Sequence, residues 1–131
     1  MTLPDLYEYI KNSTDIEDVE VFFQSIKNND PKAFKTIIEQ LKILYVECDD
    51  YDFLSSASIL FGEFKIHSSA HLIVAKLLSG KFNDSGGTFL YSLFSLKKVF
   101  VKEELRVLWE RDISWEMKYK LEMMNIFPVE N

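Results

Sequence analysis

Apolar residues recur along this chain at intervals of three and four, the spacing of one helical face. Leu3, Leu6, Tyr7 and Ile10 predict a first helix, with Pro4 tolerated in its opening turn. Asn12-Ser13-Thr14-Asp15 breaks that pattern and offers a cap for the next helix. A second helix carries Ile16, Val19, Phe22, Phe23 and Ile26 on its inner face, with Glu17, Asp18 and Glu20 off it. Asn28-Asn29-Asp30-Pro31 then combines a stop with a start, Asp30 capping and Pro31 taking the first helical position. Phe34, Ile37, Ile38, Leu41, Leu44 and Tyr45 predict the core face of a third helix. No region alternates convincingly with period two, so no sheet is expected.

Past the connection Glu47-Cys48-Asp49-Asp50-Tyr51-Asp52, the pattern resumes with Phe53, Leu54, Ala57, Leu60, Phe61 and Phe64 on a fourth helix. Ser55, Ser56, Ala57, Ser58 and Gly62 are small enough there to admit a close neighbour. A fifth helix runs from His67 to Leu78, with Gly80 as its stop, and Asn83-Asp84-Ser85-Gly86-Gly87 reads as a loop. Sixth, seventh and eighth helices are expected over 88–96, 102–111 and 115–125, with Pro128 ending regular structure.

Shifted by thirty residues, the second half repeats itself. Ile59-Leu60-Phe61-Gly62-Glu63-Phe64 is echoed by Phe89-Leu90-Tyr91-Ser92-Leu93-Phe94, and more loosely by Tyr119-Lys120-Leu121-Glu122-Met123-Met124. His71 to Leu78 has its counterpart in Val101 to Leu108. A repeat of that length built from two helical stretches predicts an all-α chain arranged as a short α-solenoid of about eight helices. One domain, 1–131, is expected: an N-terminal helical cap over 1–53, repeats over 54–126 and a tail at 127–131.

Charge distinguishes the two parts. Residues 1–53 hold twelve Asp or Glu against five Lys, whereas 54–131 hold nine acidic against ten basic residues, giving −7 and +1 and a net −6. An acidic cap opposes nucleic-acid binding, which needs a basic footprint. It suits a basic protein partner, whose approach opposite charge accelerates. Keeping the surface solvated is the alternative reading. No apolar run approaches the ~20 residues of a membrane span. The start lacks the basic and apolar regions of a signal peptide, and Cys48 has no partner for a disulfide; together these point to the cytoplasm.

Several of these stretches resemble the HEAT-like repeats of bacterial proteins. Leu60-Phe61-Gly62-Glu63-Phe64 resembles the end of the family's first helix, Leu72 to Leu78 its second helix. Asp84-Ser85-Gly86-Gly87-Thr88-Phe89-Leu90-Tyr91-Ser92-Leu93 resembles an Asp-x-x-Gly-Thr-Leu-x-Tyr-Ala-Leu signature of small HEAT-like proteins. An extra Gly, Ser92 in place of Ala, and Trp115-Glu116-Met117 in the last repeat depart from the pattern. The resemblance implies a right-handed HEAT-like solenoid, and the small relatives include immunity proteins of contact-dependent and polymorphic toxin systems. It therefore implies a monomer that binds a basic toxin domain one to one and occludes its active site or substrate surface. DNA glycosylases, tetrapyrrole lyase subunits and adaptors on the same repeats are the alternatives.

Candidate chemistry changes this picture little. His67 and His71 have the spacing of two metal ligands, but the Lys65-Ile66 turn separates them from Glu63, and no metal site is assigned. Ser85-Gly86-Gly87-Thr88 lacks the rest of a phosphate loop, and Cys48 lies among carboxylates that disfavour its thiolate. No catalytic set and no cofactor are assigned. The favoured partner-binding residues are Glu47, Asp49, Asp50, Tyr51 and Asp52, with carboxylates for Lys or Arg and Tyr51 as an aromatic anchor. Capping of the following helix by the same acids is the competing reading. Glu17, Asp18 and Glu20 extend the acidic surface. Trp109 joins the candidates as a residue of a repeat's second helix, with packing of the last repeat as its alternative role.

Overall fold

The computed structural model describes residues 2–79, 81 and 87–96. The seventh and eighth helices, the Gly80 stop, residues 83–86 of the loop and Trp109 lie outside the described residues. Within them the chain is all-helical and contains no strand. Six α-helices follow in order: α1 Leu3–Asn12, α2 Ile16–Asn29, α3 Pro31–Glu47, α4 Tyr51–Glu63, α5 Ala70–Leu78 and α6 Thr88–Ser95, with a 3-10 turn at His67–Ser69 before α5. The chain divides into two compact units, Met1–Leu60 and Phe61–Asn131.

In the first unit, each helix begins where its sequence supplies an acceptor for orphan N–H groups. Thr2 and Asp5 form a reciprocal capping box on α1, each side chain accepting from the other's backbone N–H at 3.3 Å. Asp15 caps α2 through Glu17 N–H at 2.9 Å, and Asp30 caps α3 through Ala33 N–H at 3.2 Å, with Pro31 following as expected. Asp30 also closes α2, its own N–H donating to the Ile26 carbonyl at 2.8 Å. One residue thus ends one helix and starts the next.

α2 and α1 both pack on α3. Leu6 and Ile10 of α1, Val19 and Phe23 of α2, and Ile38, Leu41 and Tyr45 of α3 are buried, together with Phe53, Leu54, Ala57 and Leu60. Leu3, Tyr7, Ile16, Phe22, Ile26, Phe34, Ile37 and Leu44, also expected on inner faces, are half-buried. One polar link lies within this core. The Tyr45 and Ser58 hydroxyls are 2.9 Å apart and both residues are fully buried. A hydroxyl removed from water needs such a partner.

In the second unit, α4 ends in a Schellman turn. Ile66 N–H donates to the Phe61 carbonyl at 2.9 Å and Lys65 N–H to that of Gly62 at 3.2 Å. Lys65 holds the left-handed position at φ 52°, where glycine is the usual choice. Its Nζ donates to the Ser95 carbonyl at 3.1 Å, supplying a cation to the end of α6. Gly62 lies against α6: a Cβ built on it would stand 3.3 Å from the Ser92 Cα. The small residue expected to admit a close neighbour does so here. Phe61, Ile73, Val74, Leu77, Phe89, Leu90, Leu93 and Leu96 are buried. His67 opens the 3-10 turn, and His67 and His71 are exposed.

Candidate protein-binding surface

The connection between α3 and α4 is short because α3 continues through Glu47 and α4 begins at Tyr51. Asp50 is the N-cap of α4. Its carbonyl accepts from Leu54 N–H at 3.0 Å and its Oδ1 from Asp52 N–H at 3.0 Å. Its Oδ2 faces α1, where it accepts from the Tyr7 hydroxyl at 2.9 Å and pairs with Lys11 Nζ at 3.0 Å. Asp50 N–H in turn donates to Cys48 Sγ at 3.2 Å. One carboxylate therefore caps a helix and ties down another.

The electrostatics of this cluster are mutually consistent. The Lys11 ammonium, then the Tyr7 hydroxyl and Asp52 N–H, hold the Asp50 carboxyl below the usual aspartate range. The Asp50 carboxylate pushes the Tyr7 phenol up, because it accepts from the protonated form, and burial adds to the effect. Lys11 is pushed up by Asp50 and then by Tyr7. Lys11 Nζ also lies 5.4 Å from the Tyr7 ring centroid, and the Tyr7 ring stacks at a tilt on Phe53, centroids 4.9 Å apart. A phenol held protonated against a carboxylate is a hydrogen-bond donor, the opposite of an activated base.

The acids of the connection thus divide by role. Asp50 is half-buried and structural, as the capping alternative expected. Glu47, Asp49 and Asp52 are exposed, and Tyr51 is half-buried. On α2, Glu17 and Asp18 are exposed and Glu20 is half-buried. Asp18 shares an open depression of about 510 Å³ with Glu8, Tyr9, Asn12, Ser13 and Thr14. Tyr9 is anchored in its wall by an edge-to-face contact with Phe22, centroids 5.0 Å apart. Burial, and secondarily the Asp18 carboxylate, pushes its phenol up. Glu8 is oriented by Asn12 Nδ2 at 3.0 Å. Glu8 and Tyr9 were missed by a reading of runs of acids, because they join Asp18 only when α1 and α2 fold together.

Two apolar residues of α3 were also missed. Ile43 is 47% exposed and Val46 57%, immediately before Glu47. They were legible in principle: at ~100° per residue Ile43 falls opposite Ile38, Leu41 and Tyr45. Among the described residues no three His, Cys, Asp or Glu side chains gather as metal ligands do. No described helix is long and apolar enough to cross a membrane.

The described residues are helical throughout their regular structure, and the N-terminal unit presents exposed carboxylates together with the exposed aliphatic side chains Ile43 and Val46. No protein-family model, curated protein or solved structure matches this chain.

Proposed function

We propose that this chain is a protein-binding module: a cytoplasmic, monomeric immunity protein that neutralises a basic bacterial toxin domain by covering its active site or substrate surface. The observation that carries the reading is the outer surface of the first unit. Glu17, Asp18, Glu47, Asp49 and Asp52 are exposed, and exposed Ile43 and Val46 precede Glu47 on α3. Carboxylates around apolar side chains complement Lys and Arg around an apolar anchor, and opposite fields speed the encounter.

A HEAT-like solenoid is the architecture proposed for the scaffold. Its support is the contact between positions thirty residues apart, Gly62 with Ser92 and Lys65 with Ser95. Stacked repeats place equivalent helices side by side, so equivalent residues meet.

The test is co-purification from the native host combined with sequencing of the neighbouring gene. A basic protein encoded next door, toxic when expressed alone and harmless with this chain, is the expected result. Recovery of no basic partner and no adjacent toxin-like reading frame overturns the proposal.

A further inference from the structure

Ile43 lies at the outer pole of α3, directly across the helix from its buried face. Val46, one turn on, shares that side, so the two form a step of exposed aliphatic surface. Val21 is 70% exposed on α2 but has no exposed large aliphatic residue one turn away, and isolated exposure of that kind is ordinary. The α3 step is also framed. Glu39 and Glu47 are four residues to either side of Ile43, both exposed, and exposed Asp49 follows. Glu39 to Glu47 spans ~12 Å along the helix at 1.5 Å per residue.

Resting on the protein-binding reading above, we propose that the 39–49 face of α3 docks a basic amphipathic helix of the partner. Two apolar side chains one turn apart on that helix cover Ile43 and Val46. Lys or Arg residues beyond them reach Glu39 at one end and Glu47 and Asp49 at the other. Glu39 carries an i,i+3 pair with Lys42 at 3.2 Å. The Glu39 side chain stays 58% exposed in that pair, so a partner cation can still approach its carboxylate. The strip has a direction as well: exposed Lys32 and Lys35 lie on the N-terminal side of Glu39 and repel a cationic segment that overshoots the acids. A second copy of the chain fits the face poorly. Residues 1–60 carry twelve acidic residues against five Lys, and pairing two such units opposes like fields.

Two labelled helical peptides of equal charge test the face, one a Leu/Lys amphipath and the other its Gln/Lys counterpart. They are titrated by fluorescence anisotropy into the protein and into the Ile43→Ser/Val46→Ser variant, whose changes are on the surface and whose fold is checked by circular dichroism. The Leu/Lys peptide is expected to bind roughly tenfold tighter than the Gln/Lys peptide, with that preference lost in the variant. Amide shifts on binding should map to residues 39–49. Equal binding of the two peptides, a preference surviving in the variant, or shifts centred elsewhere overturns the proposal. So does a concentration-dependent dimer abolished by the same substitutions, which assigns the face to a second copy. A native partner that still binds the variant sinks the docking strip and leaves the protein-binding reading intact. Peptide preference without any native toxin does the reverse for the immunity function.

Discussion

Gly62 and Ser92 are thirty residues apart in the chain and meet in the fold, where a Cβ on Gly62 would stand only 3.3 Å from the Ser92 Cα, closer than most Cβ contacts. The neighbour of that missing Cβ is the Ser92 Cα, a backbone atom of α6, which yields less readily than a side-chain tip. Gly62→Ala gains about 1 kcal/mol of helix propensity and loses a similar amount to crowding, so its net change in denaturant unfolding is expected below about 1 kcal/mol. Gly62→Val adds two methyl groups beyond that Cβ at the same contact and is expected to lose about 2 kcal/mol. A Val variant as stable as the wild type would show that α6 moves freely away from Gly62.

Tyr45 and Ser58 make a second measurable pair. Tyr45→Phe leaves the buried Ser58 hydroxyl without this partner and is expected to cost about 1–2 kcal/mol. Adding Ser58→Ala removes the stranded group, so the double variant should recover part of the loss. Strict additivity in the double-mutant cycle would mean that the two hydroxyls do not depend on each other.

Lys65 sits in the left-handed conformation with a side chain. Lys65→Gly relieves that strain at the loss of an exposed contact to the Ser95 carbonyl and is expected to stabilise by about 1 kcal/mol. Lys65→Val, β-branched at the same φ, should destabilise by about 1–2 kcal/mol. A loss of stability in the Gly variant would assign the lysine cation a larger role at the end of α6 than its exposure suggests.

The Asp50 cluster sets a pH dependence whose sign follows from its shifts. The folded-state Asp50 carboxyl is held below the ordinary aspartate value of 3.8. Its contribution is therefore present above that value and lost as pH falls through the lower, folded-state one. Tyr7 is shifted up from 10.0, so its contribution is present below that pH and lost as pH rises through the folded value. The stability difference between wild type and Asp50→Asn should be flat across neutral pH and shrink below about pH 4. A difference that instead grows on acidification would show that Asp50 is not held ionised in the fold.

Asp49 and Asp50 are neighbours in sequence but should answer differently to substitution. Asp50→Ala removes a cap and is expected to cost about 1 kcal/mol or more of stability. Asp49→Asn and Asp52→Asn should leave thermal unfolding within about 0.5 kcal/mol, as substitutions at exposed positions do, while weakening a basic partner. Simultaneous replacement of all three confounds the two effects. Equal partner binding by the Asp49→Asn/Asp52→Asn variant and the wild type would move the interface away from this connection.

Much of the fold was legible because helix formation is local. The three- and four-residue spacing of Leu6, Ile10, Val19, Phe23, Ile38 and Leu41 marks faces that a helix of 3.6 residues per turn must bury together. Asp15, Asp30 and Pro31 mark boundaries because orphan N–H groups are satisfied by residues immediately beside them. The acidity of the N-terminal part was equally plain, being a matter of counting.

The roles of individual acids were another matter. Four acids, Glu47, Asp49, Asp50 and Asp52, flank Cys48 and Tyr51, and nothing in that grouping marks Asp50 as the acid whose carboxylate turns to Tyr7 and Lys11. Sequence alone determined where the described helices lie, most of the faces they bury and that the N-terminal part is acidic, since those properties depend on residues within a turn or two. Tertiary structure alone decided that Asp50 pairs with Lys11 and Tyr7, that Glu8 and Tyr9 join Asp18, and that Gly62 meets Ser92. Those partners lie on different helices, and side chains from different helices meet only where packing sets the distance between them.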